Sequence, residues 1–185
     1  MIDGILGEAE SKMHKSVDAY LRELATIRTG RANPALIEKV MVPYYGTPTP
    51  LNQLAGISAP EARLLVVQPY DRSQIGAIEK ALRTGDLGLN PASDGAVVRV
   101  PIPPLTEERR REYVRMARHK AEEARVAVRN VRRDEAHRIN EAEKVGEVPE
   151  DAAKRALERL QRITDDHTGR IDALADRKEA EVMEV

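Results

Sequence analysis

One stretch of the chain decides its fold: residues 105–145 read LTEERRREYVRMARHKAEEARVAVRNVRRDEAHRINEAEKV. The stretch contains neither Gly nor Pro, so nothing in it breaks a helix, and it predicts one long continuous helix. Small apolar residues recur along it at alternating spacings of three and four, which places them on one helix face. They are Val114, Ala117, Ala121, Ala124, Val128 and Val131. Because such a face must be covered, we expect this helix to pack against other helices.

A second face of the same helix is lined by arginine. At about 100° per residue, these side chains fall roughly a quarter turn from the apolar face. They are Arg111, Arg115, Arg118, Arg125, Arg129 and Arg132. Nearly all of the basic residues in this region are Arg, and the planar guanidinium suits phosphate better than an ammonium group does. From the residues alone, a solvated charged surface and a face that recognises phosphate or nucleic acid stay equally open.

The composition excludes several other classes of protein. The 185 residues include no Cys, which rules out disulfides and thiolate metal sites and fits a reducing cytosol. There is no Phe or Trp, so the core must be aliphatic and bases have few aromatic side chains to stack on. No segment approaches the roughly 20 apolar residues of a membrane span, and the N-terminus lacks the pattern of a signal peptide. We therefore expect a soluble protein without a targeting segment.

Proline marks the boundary between two domains. All but one of the eleven prolines lie between Pro34 and Pro104, and the flanking regions are helical in pattern. We expect an α+β fold in which residues 1–30 and 105–185 form a discontinuous, antiparallel three-helix bundle. Residues 31–104 would form a small inserted α/β domain made mostly of strands. A helix of about 40 residues spans roughly 60 Å, so the bundle should be elongated.

Two further helices complete the predicted bundle. The first runs from the N-terminus to Gly30, which serves either as its C-cap or as a hinge. Its apolar face comprises Ile2, Leu6, Ala9, Met13, Val17, Tyr20, Leu24 and Ile27. Thr106 is expected to cap the long helix, and Gly146 and Pro149 bracket a tight connection to the last one. The last helix is acidic, and its apolar face comprises Ala153, Ala156, Leu160, Ile163, His167, Ile171 and Leu174.

The inserted domain shows shorter signals. Asn33 and Pro34 predict a short helix, and Asp71 or Ser73 can cap a second helix that ends at Gly85. Strands are predicted at residues 40–45, 48–51, 64–67 and 96–102. A loop is predicted at residues 87–91 and a turn at residues 93–95.

No motif for catalysis or nucleotide binding is present. The chain has no GxxxxGK[ST] and no GxGxxG, so it should not itself hydrolyse GTP or ATP. The four His lack HExxH spacing, and His167 is interpreted as a core residue of the last helix. We expect no enzyme activity, no metal and no cofactor.

Five motifs, in sequence order, resemble the bacterial ribosome recycling factor family. They are IRTGRANP at 27–34, YYGTPTPLNQLA at 44–55, DLGLNP at 86–91, PPLTEERR at 103–110 and RVAVRNVRRD at 125–134. The resemblance follows the whole chain in order and length. From Gly146 onward it rests on little more than an amphipathic helix, so individual roles there stay open.

The resemblance implies both a shape and a function. The bundle and the inserted domain would form an L, similar in outline to a transfer RNA. After termination, the protein would bind the large ribosomal subunit through its RNA and, with elongation factor G and GTP, separate the subunits. It would be a monomer in the bacterial cytoplasm, with no membrane and no small-molecule substrate among its partners.

Carried onto this sequence, the resemblance places ribosomal RNA contacts at seven arginines. They are Arg28, Arg31, Arg110, Arg125, Arg129, Arg132 and Arg133. Arg129 and Arg132 are favoured, because both lie on the arginine face about one turn apart. Arg133 ranks lower, since it has the alternative of pairing with a nearby Glu. Arg110 projects near the apolar face, so it lies either beyond the end of the bundle, close to the hinge, or beside a carboxylate.

A hinge is expected where the chain crosses between the domains. Gly30 and Arg31 on one crossing, and Pro103, Pro104 and Leu105 on the other, would let the inserted domain turn as a rigid body. A second class of protein also fits the residues: a basic coiled coil that binds RNA or assists assembly and has no part in subunit separation. The two hypotheses differ in whether ribosomal subunits come apart.

Overall fold

A computed structural model describes residues 1–184, and the chain divides into two compact units. One unit is discontinuous and contains Met1–Thr29 and Glu107–Glu184. The other is the inserted unit, Gly30–Thr106. Within the described residues, no helix is both long and apolar enough to cross a membrane.

Three helices form the discontinuous unit: α1, Ile2–Ala25, α3, Glu107–Lys144, and α4, Glu150–Met183. The remaining helix, α2, Ile75–Thr84, belongs to the inserted unit. The 38 residues of α3 extend over roughly 57 Å. Acidic residues occupy the first turns of both α3 and α4, where they face the positive end of the helix dipole.

Contacts between the helices define their directions. Lys12 of α1 meets Glu135 of α3, whereas Tyr20, farther along α1, meets Ala117, earlier in α3. These two helices are therefore antiparallel. Between α3 and α4, Arg118 pairs with Glu179, whereas Arg125, farther along α3, pairs with Asp172, which lies earlier in α4. Helix α4 is therefore antiparallel to α3 as well. The predicted antiparallel three-helix bundle with an inserted α/β unit is confirmed.

The interior of the bundle is aliphatic, and its α3 side is built from small residues. The first five positions of the predicted apolar face are all buried: Val114, Ala117, Ala121, Ala124 and Val128. Alanine on successive turns lets α1 and α4 approach α3 closely. Tyr20 of α1 lies in this seam and donates its hydroxyl to the Ala117 carbonyl at 3.1 Å, and burial raises the pKa of Tyr20 to about 12.

Farther along α3, the buried face departs from the prediction. Val131 is partly exposed, and the next buried position is Glu135, whose side chain is 1% exposed. The Glu135 carboxylate accepts from Lys12 Nζ at 3.0 Å and from Arg138 Nη1 at 2.9 Å. Both cations are about half exposed, so their charges stay partly hydrated while their stems cover the acid. An ion pair thus takes a place that periodicity assigns to an apolar residue.

The buried face of α4 also contains polar groups. The Thr164 hydroxyl donates to the Leu160 carbonyl at 2.8 Å. His167 is buried, as predicted, and its Nδ1 lies 2.7 Å from the Ile163 carbonyl. Because a carbonyl only accepts, Nδ1 carries the proton, and Nε2 is buried without a hydrogen-bond partner.

Helix α1 ends five residues before Gly30. The amides of Thr26 and Ile27 donate to the carbonyls of Glu23 and Leu24, each three residues back, at 3.1 Å. The Thr26 hydroxyl also donates to the Glu23 carbonyl, at 2.6 Å. These bonds tighten the last turn and end the helix. The prediction that Gly30 forms the C-cap is therefore wrong.

The inserted unit contains two small antiparallel sheets. Strands β1, Met41–Tyr44, and β2, Thr47–Pro50, form a hairpin. The others are β3, Ala55–Glu61, β4, Leu64–Pro69, β5, Ala92–Ser93, and β6, Val98–Pro101, and they pair in the order β3, β4, β6, β5. Helix α2 packs against β1, β5 and β6 and buries Ile78 and Leu82 in a shared aliphatic core.

Three elements of the inserted unit differ from the sequence prediction, and one of them is the short strand β5, Ala92–Ser93, which overlaps the predicted turn at residues 93–95. Strand β3 was not predicted, because Gly56, Ser58 and Pro60 are untypical of strands; it pairs only with β4, and its register shifts before Glu61. The short helix after Asn33 is a single 3₁₀ turn over residues 34–36, although the Asn33 side chain caps it as expected.

Replacing the two cations around Glu135 should lower the free energy of unfolding more than replacing Glu135 itself. Lys12→Met combined with Arg138→Met leaves a buried carboxylate without a counterion, and we expect the free energy of unfolding to fall by about 3–5 kcal/mol. Glu135→Met replaces the acid with an apolar side chain of similar length and should be nearly neutral. Urea unfolding followed by circular dichroism measures both variants.

The exposed cations Lys15 and Arg155 provide the control for a change of charge alone. Lys15→Met combined with Arg155→Met should leave the free energy of unfolding within about 1 kcal/mol of the original value. If Glu135→Met is as unstable as the variant lacking Lys12 and Arg138, the carboxylate itself, rather than its compensation, stabilises the bundle.

Candidate nucleic-acid interface

The arginine face of α3 lies beside the acidic helix α4, which neutralises part of it. Arg118 pairs with Glu179 through two nitrogens, and its Nε lies 3.2 Å from Oε2. Arg125 reaches Asp172, with 2.7 Å between Nη1 and Oδ1. Two arginines of the predicted binding face are therefore already paired within the bundle.

Glu122, on α3 itself, holds two arginines. It accepts from Arg125 Nε at 3.0 Å and from Arg129 Nη1 at 3.3 Å, and the bond from Arg125 contributes most to holding its pKa below the usual value. Burial lowers the pKa of Arg125, but its bonds to Glu122 and Asp172 outweigh that effect and raise the pKa overall. The side chain of Arg125 is 23% exposed and that of Arg129 is 51% exposed. Arg129 is therefore the more accessible of the two.

Arg132 differs from these arginines because its partner is neutral. Its Nη1 donates to Oε1 of Gln161 at 3.0 Å, and Gln161 donates from Nε2 to Asp165 at 2.8 Å. The amide orients the guanidinium without cancelling its charge. The neighbouring Arg133 is largely exposed, and the carboxylate of Asp134 lies 3.7 Å away. At these two arginines, α3 carries positive charge that α4 does not neutralise.

Arg132 and Arg133 border a cleft of about 460 Å³ between α3 and α4. Its other walls are formed by Ala136, His137 and Asn140 of α3 and by Leu157, Leu160 and Gln161 of α4. The cleft therefore combines guanidinium, amide and imidazole groups with aliphatic surface. Leu160 is buried, whereas His137 and Asn140 are exposed, so the polar groups lie toward the solvent.

The remaining predicted arginines lie before α3 in the sequence or in its first turn. Arg28 follows α1 and is partly buried, and Arg31 is exposed. Arg110 lies in the first turn of α3, fifteen residues before Arg125, a separation of roughly 22 Å along the helix. Its Nε is buried without a hydrogen-bond partner, and no described residue forms an ion pair with it. The alternative that Arg110 lies beside a carboxylate partner is wrong.

Gly30 and Leu105 pack together where the chain enters and leaves the inserted unit. Gly30 has a φ of +76°, and a Cβ placed there would lie 3.4 Å from Leu105 Cγ and 3.6 Å from its backbone nitrogen. Both the left-handed conformation and the close approach favour glycine. Pro103 and Pro104 fix the backbone φ just before Leu105. Of the predicted hinge residues, the structure thus brings Gly30 and Leu105 into contact.

The four histidines do not assemble a metal site. Within residues 1–184, no group of three or more His, Asp or Glu side chains could hold a metal ion. His14 and His119 instead contact Asp18 and Glu123, each four residues farther along its own helix. His137 lines the cleft beside Arg132.

Sequence reasoning missed the side chains that α4 contributes. Glu179, Asp172 and Gln161 meet successive arginines of α3, but the roles of residues after Gly146 stayed open. Two features of the sequence indicated that α4 would supply partners for the arginines: the acidic charge of α4 and its predicted antiparallel packing. Deciding which residue meets which arginine requires the register between the helices, and composition does not supply it.

The fold and this face define a class of protein: an arginine-rich three-helix bundle interrupted by a small α/β unit. The sequence pattern described as ribosome recycling factor matches residues 20–183. The chain belongs to the ribosome recycling factor family. The ribosome-recycling factors of Geobacillus sp. strain WCH70 and Acidothermus cellulolyticus are 57% and 55% identical to it over 185 residues, covering all of both chains.

Solved structures bear out the same relationship. The solution structure of a ribosome recycling factor matches with a TM-score of 0.74 and 48% identity, covering 100% of this chain and 98% of that one. A second match is the T. thermophilus ribosome recycling factor, described with E. coli elongation factor G bound to the E. coli post-termination complex. It has a TM-score of 0.65 and 46% identity, and it covers all of both chains. The family assigned from five motifs is confirmed.

Gln161→Glu should weaken binding to a polyanion, because it turns the neutral partner of Arg132 into a carboxylate. The new ion pair would occupy the guanidinium, and we expect the affinity for a short single-stranded RNA to fall roughly three- to tenfold at low salt. Fluorescence anisotropy with labelled RNA measures the change. Gln53→Glu, at an exposed position of the inserted unit, makes the same change in net charge and serves as the control. Equal losses for the two variants would contradict a specific role for Arg132.

Proposed function

We propose that this protein binds the ribosome after termination and, with elongation factor G and GTP, promotes its separation into subunits. Its membership of the ribosome recycling factor family supports this, as do relatives that match along their full length. A solved relative is described together with elongation factor G on the post-termination complex. The protein would act in the cytoplasm. It would be a monomer, because the apolar faces of its long helices are covered within its own bundle.

The observation that carries the proposal is the positive charge of Arg132, which its neutral partner Gln161 leaves in place. Ribosomal RNA presents a dense array of phosphates, and a guanidinium held by a neutral amide can bind one without first losing an acidic partner. The partner on the ribosome would be RNA of the large subunit. Binding of this kind weakens as salt is added, because phosphates release condensed counterions when arginines replace them.

The seven predicted contacts would not contribute equally. Arg129, Arg132 and Arg133 would make the main contacts, since they lie within two turns of α3; Arg129 and Arg133 are exposed, and Arg132 is partly buried beside Gln161. Arg125 would contribute only if RNA displaced Asp172. The remaining three would touch RNA away from this cluster; they are Arg28, Arg31 and Arg110.

The inserted unit would move about the two chain crossings. Gly30, Arg31, Pro103, Pro104 and Leu105 would absorb the change in backbone angles. Two crossings would restrict the motion to a rotation about one axis, and the close approach of Gly30 to Leu105 would lie at that axis. The protein would supply binding surfaces and leverage rather than catalysis, and GTP hydrolysis would fall to elongation factor G.

Light scattering by post-termination ribosomes tests the proposed function directly. With the protein, elongation factor G and GTP all present, we expect scattering to fall as ribosomes separate. Omitting any one of the three should prevent the fall. If scattering stays constant with all three present while the protein still binds ribosomal RNA, the alternative of a general RNA-binding module is correct.

Gly30→Pro should impair subunit separation more than ribosome binding. Proline cannot adopt a φ of +76°, so the crossing would be forced into another conformation while the arginines of α3 stay in place. Affinity for ribosomes and the rate of separation should be measured side by side. Gly88→Pro, at another glycine of positive φ with open space around it, controls for strain in the inserted unit. Equal losses of binding and separation in Gly30→Pro would contradict the hinge.

A further inference from the structure

The cleft between α3 and α4 offers more than the two arginines that would contact phosphate, because aliphatic side chains and two amides also line it. We infer that it receives one unpaired nucleotide of RNA, with the phosphate on Arg132 and Arg133 and the base between the helices. The inference rests on the proposed function, because the RNA would belong to the large ribosomal subunit. The surface would then hold a base as well as a phosphate.

The size of the cleft suits a single nucleotide. Its volume of about 460 Å³ falls within the usual range of small-ligand pockets, roughly 300–1,000 Å³. A base with its sugar fits such a space, whereas a double helix can touch only the rim. Proteins that recognise RNA beyond its backbone take hold of unpaired bases, which can leave the stack.

The lining of the cleft matches the two surfaces of a base. The flat faces of a base are apolar and would lie against the partly exposed aliphatic side chains of Ala136 and Leu157. The edge of a base carries hydrogen-bond donors and acceptors, and the amides of Asn140 and Gln161 can meet either kind. A bare phosphate would leave both the amides and the aliphatic walls unused.

Gln161 is already held in position for this role. Its carbonyl oxygen accepts from Arg132, and its amide nitrogen donates to Asp165. A side chain fixed at both ends loses little conformational freedom when a ligand arrives. The same contact ties the wall of the cleft to the arginine that would bind the phosphate, so base and phosphate would be recognised together.

The position of the cleft favours a nucleotide within a strand over a free one. Arg129 lies one turn of α3 before Arg133, so the backbone of a bound strand could continue from the cleft along the arginine face. A free nucleotide would gain nothing from that continuation. Accordingly, a nucleoside monophosphate should compete for the cleft only weakly.

Filling the cleft tests the inference while leaving every arginine in place. Ala136→Leu adds aliphatic volume inside the cleft, and we expect the affinity for large ribosomal subunits to fall roughly tenfold. Chemical probing of the ribosomal RNA should show a base whose Watson–Crick edge is protected by the original protein and exposed again with Ala136→Leu. Ala173→Leu, at an exposed position of α4 outside the cleft, is the matched control and should change neither result.

A second variant guards against a folding defect in the first. Asn140→Ala removes an exposed amide without altering the core, and it should weaken binding severalfold and release the same base. If Arg132→Gln weakens binding while Ala136→Leu and Asn140→Ala keep both the affinity and the protection, the cleft is empty and the inference is wrong. If Arg132→Gln also binds as well as the original protein, the proposed RNA face fails with it.

Discussion

The structure depends on how closely three helices pack along the small apolar face of α3. Ala117, Ala121 and Ala124 are buried on successive turns, and the chain has no Phe or Trp to hold the helices farther apart. Enlarging one of these positions would cost about 1–3 kcal/mol, because the neighbouring helix would have to move. The same close approach brings the side chains of α4 within reach of the arginines of α3. Packing in the core thus determines the charge on the surface.

Contacts across that seam divide the arginines into two groups. Arg118 contacts Glu179 through two guanidinium nitrogens, so a phosphate would have to displace that carboxylate before it could bind Arg118. Arg125 has two acidic partners and is mostly covered, so releasing it costs more. Arg132 would give up no acidic partner on binding phosphate, because its partner is the neutral amide of Gln161. The arrangement therefore favours one end of the face for binding RNA, although periodicity presents all six arginines alike.

The sequence was sufficient to predict the elements whose residues recur at regular spacing. It predicted the long helix, the first five of its seven buried apolar positions and the family, because periodicity and motifs are local. It did not predict Glu135 in the core, since the cations that compensate it come from another helix and from the next turn. Strand β3 was missed because pairing with β4, rather than propensity, forms it. The partners of the arginines were missed for the related reason that the register between helices is a property of the folded chain.

The salt dependence of binding to large ribosomal subunits tests most directly whether packing against α4 selects the arginines that bind RNA. The logarithm of the association constant should fall steeply with the logarithm of salt concentration, and Arg132→Gln should reduce that slope by about one, the loss of a single phosphate contact. Arg118→Gln should leave the slope nearly unchanged, because that arginine is already paired with Glu179. An affinity that does not respond to salt, or an equal change of slope in both variants, would contradict the claim that packing against α4 selects which arginines bind RNA.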